Sequence, residues 1–447
     1  VSTSFDATMT KVSTYSLLPR VPLYLSCGCR RVQDIRVTPT RSIAARPSVY
    51  YQLRQFLSDH KDIPLDFDEL TSDVDLPWLQ TIRPYHFNDK LDDIKKPTSP
   101  GYFYKSKGFK TKTEVIEQKA NELRYYCHMI KTGHLRRPRP LTTLASVDAK
   151  LDHVKQEVKS RVAWIYPVQV CAIENMWFSR IKELMPQDYV PKPETHHSIW
   201  CGPLSMSTDF KSFDSSVSKS LVEKAFNVLE RHMSFDVYHT GDIPYSSSSL
   251  GRLWSFVKWY FMNTPVLVDG NVVTKQHGVP SGSMFTNIID TIISKLVLTY
   301  LHRKSDCKGD SITYGDDAHS RNCTCSYSTI ETLAKESFGM TIKIEKVNEH
   351  NCLTYCKAEC HMGQPFHSGL WFSNILNCVP QKIRTQVAYC LRYMQPTRFQ
   401  LKQLSKLFPA KSTQLTKASW YTRKMITSGN PDLFDEMLHR GPVCSNL

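Results

Sequence analysis

Several features that would assign the chain to common protein classes are missing from its sequence. No uninterrupted apolar run reaches the roughly 18 residues that span a bilayer, so we expect a soluble protein with no membrane partner. The N-terminal stretch has no basic head followed by an apolar core and a small-residue cleavage site, which argues against secretion. Internal repeats and low-complexity tracts are absent as well. The chain starts at Val1 rather than at methionine, which suggests truncation or processing.

Cysteine is frequent, but the CxxC spacing of common zinc sites is absent. The 14 cysteines are scattered over 447 residues, a chain too long to need a disulfide framework, so we expect reduced intracellular thiols. Cys352, Cys356 and Cys360 recur every fourth residue beside His361, on one face if the segment is helical, and Cys323 and Cys325 lie upstream. A zinc site here stays open as an alternative, while we favour buried free thiols.

Acidic residues are outnumbered, since 57 Lys and Arg against 42 Asp and Glu give a formal charge of +15. Residues 101–150 carry 11 basic and 4 acidic side chains, and residues 351–447 carry 12 and 4. Residues 201–350 are nearly neutral, with 15 basic and 16 acidic side chains. Basic flanks around an acidic centre suit an enzyme that grips phosphates and holds metal ions, although an ordinary solvated basic surface is an equal alternative on charge alone.

Two elements stand out along the chain. Apolar residues recur at three and four positions from about 284 to 301, which predicts a buried helix. Residues 311–314 and 318–320 read as short strands joined by the turn formers Gly315, Asp316 and Asp317, which predicts a hairpin with acids at its tip. From residue 380 onward, spaced leucines, aromatics and basic residues suggest further helices.

Acidic residues of two segments are candidates for a metal site. Asp209 follows a stretch that reads as a strand, and Asp214 stands five residues later at the start of a predicted helix. Two such aspartates alone are more often surface residues or caps. Adjacent aspartates at the tip of a hairpin repel each other, however, so a fold that aims both at one point needs a cation. Asp209, Asp316 and Asp317 together supply the converging carboxylates that two-metal phosphoryl transfer requires.

Between these segments lies the loop from His277 to Thr286, with the sequence HGVPSGSMFT. Its glycines, proline and serines leave little side-chain bulk, so a nucleic-acid backbone could approach closely. A plain loop with a helix cap is the other interpretation.

The order of these segments resembles motifs A, B and C of viral RNA-dependent RNA polymerases. The matching residues are Asp209-x4-Asp214, Ser281-Gly282-x3-Thr286 and Gly315-Asp316-Asp317. Residues 159–167, KSRVAWIYP, look like motif F of partitivirus and picobirnavirus polymerases, and residues 98–102 look like their motif G. Asp290 stands where many positive-strand virus polymerases have asparagine, which is most like the partitivirus version, with picobirnaviruses as second choice.

The resemblance implies an α+β right-hand polymerase fold. The fingers and an N-terminal region would occupy residues 1–200, and the palm would occupy 201–375 with a fingers insertion at about 228–275. A helical thumb would follow at 376–447.

The resemblance also implies residue roles. Asp209, Asp316 and Asp317 would hold two Mg²⁺ ions, with Mn²⁺ as a substitute, and Lys346, chosen over Lys343, would protonate the pyrophosphate. The nucleotide would be bound by a larger set: Lys159, Arg161, Asp214, Ser281, Gly282, Thr286 and Asp290. The template would contact Ser99, Pro100, Gly101, Lys105 and Lys107.

The expected activity is template-directed transfer of ribonucleotides to an RNA 3′-hydroxyl, replicating and transcribing a viral, double-stranded RNA genome. The partners would be RNA template and product, ribonucleoside triphosphates and the viral capsid protein, in the host cytoplasm inside the virion. A reverse transcriptase shares the palm and an aspartate pair, but the Ser281-Gly282-x3-Thr286 loop favours RNA synthesis. A non-catalytic RNA-binding or capsid protein is the rival from another class, and the intact carboxylates count against it.

Overall fold

The computed structural model describes residues 49–134, 141–152, 157–186, 189, 206–345, 352–356, 358–361 and 364–367. The predicted helices after residue 380 lie outside these ranges. No helix in the described part of the chain has the length and apolarity that a membrane crossing requires.

The described part of the chain begins with five helices and continues with helices and strands mixed. The helices are α1 (Val49–Leu53), α2 (Phe67–Thr71), α3 (Phe87–Lys90), α4 (Tyr102–Lys105), α5 (Lys112–Lys131), α6 (Val168–Leu184), α7 (Phe213–Ser216), α8 (Lys219–Glu230), α9 (Ser249–Met262), α10 (Thr286–Lys304) and α11 (Tyr327–Phe338). The strands are β1 (Thr143–Asp152), β2 (Glu157–Ile165), β3 (Met206–Phe210), β4 (Pro265–Val268), β5 (Asn271–Thr274), β6 (Asp310–Tyr314), β7 (Asp317–Arg321), β8 (Ile342–Glu345), β9 (Cys352–Tyr355), β10 (Ala358–His361) and β11 (Gln364–His367).

Local sequence signals fix where several helices begin and end. The hydroxyls of Thr111, Ser218 and Ser326 accept backbone N–H groups at the first turns of α5, α8 and α11. Such caps satisfy donors that have no partner within the helix. Gly339 adopts φ 70° and terminates α11, a conformation that glycine reaches without steric cost.

The predicted buried helix is confirmed as α10, displaced by two or three residues at its ends. Its apolar residues Ile288, Ile289 and Ile292 are fully buried, and so are the polar Thr291 and Ser294. A helix that is buried on nearly every side forms the centre of the core, because the elements around it cover all of its faces.

The strands among the described residues form three sheets. The central sheet has the strand order β6-β7-β3-β8, and all of its pairs are antiparallel. A second sheet has the order β2-β1-β4-β5, in which β1 and β4 pair in parallel although Thr143 and Val266 are far apart in sequence. The third sheet, β11-β10-β9, shows that the segment with Cys352, Cys356 and Cys360 is extended, so the helical arrangement of these cysteines is wrong.

Candidate active site

The predicted acidic hairpin is confirmed as β6 and β7. Gly315 adopts φ 61° at its tip, next to Asp316. The backbone N–H of Gly315 donates to Thr291 Oγ1 at 2.8 Å, and its carbonyl accepts from Ser294 Oγ at 2.7 Å. Because both hydroxyls belong to the rigid helix α10, they hold the tip in one position.

Asp209 stands beside this tip in the central sheet. Thr208 pairs with Ala318 across β3 and β7, so the same register continued by one residue sets Asp209 opposite Asp317. On the other side of β3, Asp209 pairs with Lys343 of β8. Residues directly opposite each other on neighbouring strands share a face of the sheet, and their Cβ atoms are about 5 Å apart. Asp317, Asp209 and Lys343 therefore form a row across one face.

Three carboxyl groups from three segments lie within electrostatic reach of one another. Burial and the charge of Asp316 raise the pKa of Asp214 to about 6, while Arg161 acts in the opposite direction. Burial, with Asp214 and Asp316, raises the pKa of Asp290 well above its ordinary value. The Oδ1 atom of Asp290 is buried without a hydrogen-bond partner among the described residues. The structure thus brings Asp214, Asp290 and Asp316 into one neighbourhood, while the metal-binding and nucleotide-binding roles of these residues stay predictions.

The predicted metal ligands do not form one compact set. Within the ranges described, the group of three or more His, Cys, Asp or Glu ligand atoms that all lie within 4.8 Å of one another consists of cysteines and not of the aspartates. Asp209 and Asp316 are exposed and Asp317 is half-buried. Carboxylates repel one another at short range, so an open arrangement of hard oxygen donors is the form expected without a cation between them.

The loop that precedes α10 is joined to the loop of Asp214 through the backbone. The N–H of Val279 donates to the carbonyl of Asp214 at 2.8 Å, and the N–H of Gly278 donates to that of Val217 at 2.9 Å. Gly278 has φ 84°, and a Cβ atom there would lie 2.5 Å from the Asp214 oxygen. A larger residue would separate the two loops.

The same loop packs against strand β2, which carries Arg161. A Cβ atom on Gly282 would lie 2.3 Å from the carbonyl oxygen of Trp164. Ser281 Oγ lies 3.4 Å from both the Trp164 nitrogen and the Val162 oxygen. The small size of Gly282 therefore has a packing reason, and the expected approach of RNA to this loop stays a prediction. The Thr286 hydroxyl lies 2.9 Å from the carbonyl of Pro280, within its own loop.

Glu174 of α6 is a site-supporting residue that the sequence motifs did not reveal. It is fully buried and accepts hydrogen bonds from Ser283 Oγ at 2.6 Å and from the Met284 N–H at 3.0 Å. Burial raises its pKa to about 7, against the effect of these two bonds. The available signal was a lone charged residue in the mostly apolar stretch VQVCAIENMWF.

The predicted template-side residues lie at the start of α6 and around α4. The Val168 N–H donates to the Pro100 carbonyl at 3.0 Å, and a Cβ atom on Gly101 would lie 2.6 Å from the Cα of Pro167. The Gly101 N–H lies 3.4 Å from Ser99 Oγ. Two lysines follow: Lys105 ends α4, and the exposed Lys107 holds its ammonium group 4.0 Å from the centre of the Phe103 ring.

Two predicted site residues fall beyond what is described. Lys159 is in β2, two residues before Arg161, but its side chain is outside the described structure. Lys346 lies outside the described residues, one position after the end of β8.

This fold is shared with known polymerases. Two crystal structures of the RNA-dependent RNA polymerase of a human picobirnavirus resemble the chain, and one of them is a mutant that lacks an insertion loop. The loop-deletion structure gives a TM-score of 0.54 at 15% identity, covering 88% of this chain and 78% of that one. The other gives 0.56 at 14% identity, covering 86% and 76%. The chain therefore has the right-hand fold of RNA-dependent RNA polymerases.

Sequence comparison gives the family. The family model described as viral RNA-dependent RNA polymerase matches residues 61–363, more than half of the chain. The chain belongs to this family. The RNA-directed RNA polymerase of Cryptosporidium parvum virus 1 is 29% identical over 161 residues. That match spans 33% of this chain and 29% of the relative's length.

Proposed function

We propose that this chain is an RNA-directed RNA polymerase that adds ribonucleotides to an RNA 3′-hydroxyl as directed by a template, for a virus with a double-stranded RNA genome. The observation that carries the proposal is the electrostatic interaction among the carboxyl groups of Asp214, Asp290 and Asp316. Asp209 lies beside the hairpin tip that bears Asp316. Three segments distant in sequence supply these groups, and a structural protein gains no stability from such repulsion. Membership of the polymerase family supports the same activity.

The donor set fits divalent magnesium. Asp209, Asp316 and Asp317 would hold two Mg²⁺ ions, or Mn²⁺ in their place, which would acidify the attacking hydroxyl and neutralise the pyrophosphate. The Oδ1 atom of Asp290 has no hydrogen-bond partner among the described residues, and burial, followed by the charge of Asp316, raises the pKa of Asp214. A bound cation would stabilise the charged form of both carboxyls.

The chain's own residues would bind and orient the nucleotide. Arg161 is exposed in β2 and acts on Asp214 electrostatically, so its guanidinium suits the triphosphate of a nucleotide seated over the aspartates, together with Lys159. Asp214 and Asp290 are our candidates for contact with the ribose 2′-hydroxyl. The loop that stands between Asp214 and Asp290 in the sequence is positioned by contacts of Ser281, Gly282 and Thr286.

A lysine would supply the proton to the leaving pyrophosphate. Lys346 is the residue that the resemblance favours. Lys343 becomes a second candidate, because its backbone pairs with that of Asp209 and its side chain is exposed.

The subdomains follow the same proposal. Residues 1–200 with an insertion at about 228–275 would be fingers, 201–375 the palm and 376–447 the thumb. The pairing of β4 and β5 with β1 and β2 supports the insertion, because it joins residues 265–274 to the sheet of Arg161. Ser99, Pro100, Gly101, Lys105 and Lys107 would face the template. The viral capsid protein would be a partner, with synthesis inside the virion in the host cytoplasm.

The deciding experiment is magnesium-dependent incorporation of ribonucleotides on a homopolymeric RNA template. Asp316→Ala should reduce incorporation by at least about 100-fold, because charge stabilisation at the reacting centre is lost. Folding and RNA binding should stay nearly intact. Asp310→Ala is the matched control, since Asp310 is an exposed acid at the other end of β6 whose ion pair with Lys295 contributes about 0–1 kcal/mol.

Elongation by Asp316→Ala at the rate of the control would remove Asp316 from the active site. Deoxynucleotides in the same assay test the ribose contacts. Equal incorporation of both nucleotide types by the unaltered chain would contradict the roles of Asp214 and Asp290.

A further inference from the structure

Three cysteine sulfurs converge at the end of the central sheet away from the aspartates. Cys307 follows α10, while Cys323 and Cys325 follow β7. The sulfur of Cys323 lies 3.6 Å from that of Cys307 and 3.1 Å from that of Cys325, and all three lie within 4.8 Å of one another. Met206, the first residue of β3, adds a fourth sulfur 3.8 Å from Cys323. Asp209 stands three residues further along this strand, about 10 Å away.

The spacing suits coordination to a metal better than a disulfide. Tetrahedral zinc with Zn–S bonds near 2.3 Å separates its sulfurs by about 3.8 Å, close to the 3.6 Å between Cys307 and Cys323. The 3.1 Å between Cys323 and Cys325 is shorter than this but far longer than the roughly 2.05 Å of a disulfide, so these two sulfurs would separate slightly as the ion binds. All three thiols are free, and a disulfide would join two of them and leave the third without a role. Thiolates select zinc over magnesium, since soft donors prefer the softer ion.

A backbone amide in the cluster favours negative charge on the sulfur of Cys307. The N–H of Thr324 donates to the sulfur of Cys307 at 3.2 Å. Asn322 adopts φ 53°, which turns the chain just before Cys323 and Cys325. Hydrogen bonds from amides stabilise a thiolate relative to a thiol, as they do for ligands around metal centres.

A buried histidine next to the cluster has one nitrogen committed and one without a partner. His302 is 1% exposed, and its Nδ1 lies 2.9 Å from the carbonyl of Gly309, to which it must donate. Its Nε2 therefore carries a lone pair, and among the described residues it has no hydrogen-bond partner. A Cβ atom on Gly309 would lie 2.9 Å from the His302 ring and 3.3 Å from the Cys307 sulfur, so ring and thiol flank the same glycine. Histidine ligands of metal ions commonly donate their other ring nitrogen to a carbonyl, as Nδ1 of His302 does.

We propose that Cys307, Cys323 and Cys325 bind one Zn²⁺ ion, with His302 as the fourth ligand. Coordination requires the ring to move, because its nitrogen is not within 4.8 Å of all three sulfurs. Each thiol releases its proton to solvent as its bond to zinc forms. The ion fastens the C-terminal end of α10 to the end of β7, and the other end of α10 carries Asp290. It is a structural site, separate from the magnesium chemistry.

The first test is the metal content of the purified full chain, measured by mass spectrometry of the elements after growth with zinc. We expect about one zinc ion per chain. Cys323→Ser and Cys325→Ser should each lower zinc content several-fold. Cys127→Ser is the control, because Cys127 is a buried thiol of α5 that does not belong to the cluster.

A second measurement uses the unaltered chain, so it tests the site even if the cysteine variants fail to fold. A chelator selective for zinc over magnesium should lower the melting temperature of the unaltered chain, and added zinc should restore it. Cobalt substituted for zinc should give the strong near-ultraviolet band of thiolate coordination.

Three results would overturn the proposal. The first is a folded chain that takes up no zinc and melts at the same temperature with or without the chelator. The second is copper or iron in equal amount in place of zinc. The third is a disulfide between any two of the three cysteines. None of these readouts depends on polymerase activity, so the site stands or falls independently of the proposed function.

Discussion

Glu174 shows how one buried side chain supports a loop that bears site residues. It holds Ser283 and the Met284 amide, which directly follow Ser281 and Gly282. Glu174→Ala should lower the free energy of unfolding by about 3 kcal/mol, because two buried donors lose their acceptor. Glu174→Gln should recover most of this, since the amide keeps an oxygen for the Met284 N–H. Chemical denaturation measures both values.

Activity separates a positioning role from plain stabilisation. At a temperature where the Glu174 variants are folded, we expect a raised KM for nucleotides in Glu174→Ala and a nearly normal KM in Glu174→Gln. Glu223→Ala, at an exposed position of α8, is the control and should change stability by less than about 0.5 kcal/mol. An unchanged KM in a destabilised Glu174→Ala would leave Glu174 with a structural role only.

His277 makes the same loop sensitive to acid. Its ring is 4% exposed, lies 4.7 Å from the His60 ring and 6.5 Å from Phe56, and has both nitrogens buried without partners among the described residues. Burial, with the charge of His60, lowers its pKa from 6.5 to about 4. The unfolded chain therefore binds more protons between pH 6.5 and about 4, and stability falls as pH drops through that window.

The loss of unfolding free energy between pH 7 and pH 4.5 should be smaller by roughly 1 to 3 kcal/mol in His277→Phe than in the unaltered chain. Denaturant unfolding at pH 7 and at pH 4.5 gives the comparison, with His128→Gln, an exposed histidine of α5, as control. If His277→Phe lost as much stability as the unaltered chain over this interval, His277 would not be the group that titrates.

At the scale of elements, Gly282 joins the loop before α10 to strand β2. Gly282→Ala places a methyl group where the Trp164 carbonyl stands, so either the strand or the loop must shift. We expect a loss of about 1 to 3 kcal/mol in stability and a fall in nucleotide incorporation, because Arg161 lies in the displaced strand. Gly251→Ala in α9 is the matched control: nothing lies within 4 Å of its added Cβ, and helix propensity predicts a gain of up to about 1 kcal/mol. Equal behaviour of the two variants would show that the close approach at Gly282 is not required.

Local patterns predicted some elements well. The repeat of apolar residues predicted α10, and the turn formers predicted the β6–β7 hairpin, because both signals are short-range. The order of motifs predicted that acids from three segments converge. The pairing of β1 with β4 and the packing of Gly282 on Trp164 could not be predicted, since they join residues more than a hundred positions apart. The cysteine cluster was missed for another reason: Cys307 and Cys323 are only 16 positions apart, but no spacing typical of zinc sites links them.

For the whole molecule, the charge of +15 predicts RNA binding that weakens steeply with salt. Removing Lys105 and Lys107 together by alanine should lower the slope of log K against log salt by about 1.4, since each lost phosphate contact to a single strand contributes about 0.7. Lys308 and Lys335, exposed lysines outside the proposed template wall, are the matched control pair. Binding assays across a salt series measure both. An unchanged slope in the Lys105 and Lys107 double variant would place the template elsewhere.

The sheet order β2-β1-β4-β5 also constrains how the protein is made. On the ribosome, β1 emerges more than a hundred residues before β4, and the strand of Asp209 is synthesised between them. The backbone groups on the edge of β1 that pairs with β4 therefore stay unpaired until β4 has been synthesised. Loop closure over that distance is slow. The strands of the two sheets alternate along the chain, and the central sheet is complete only with β8. We therefore expect both sheets to complete folding late, with the nascent chain exposed to aggregation or chaperone capture until residue 345 has left the exit tunnel.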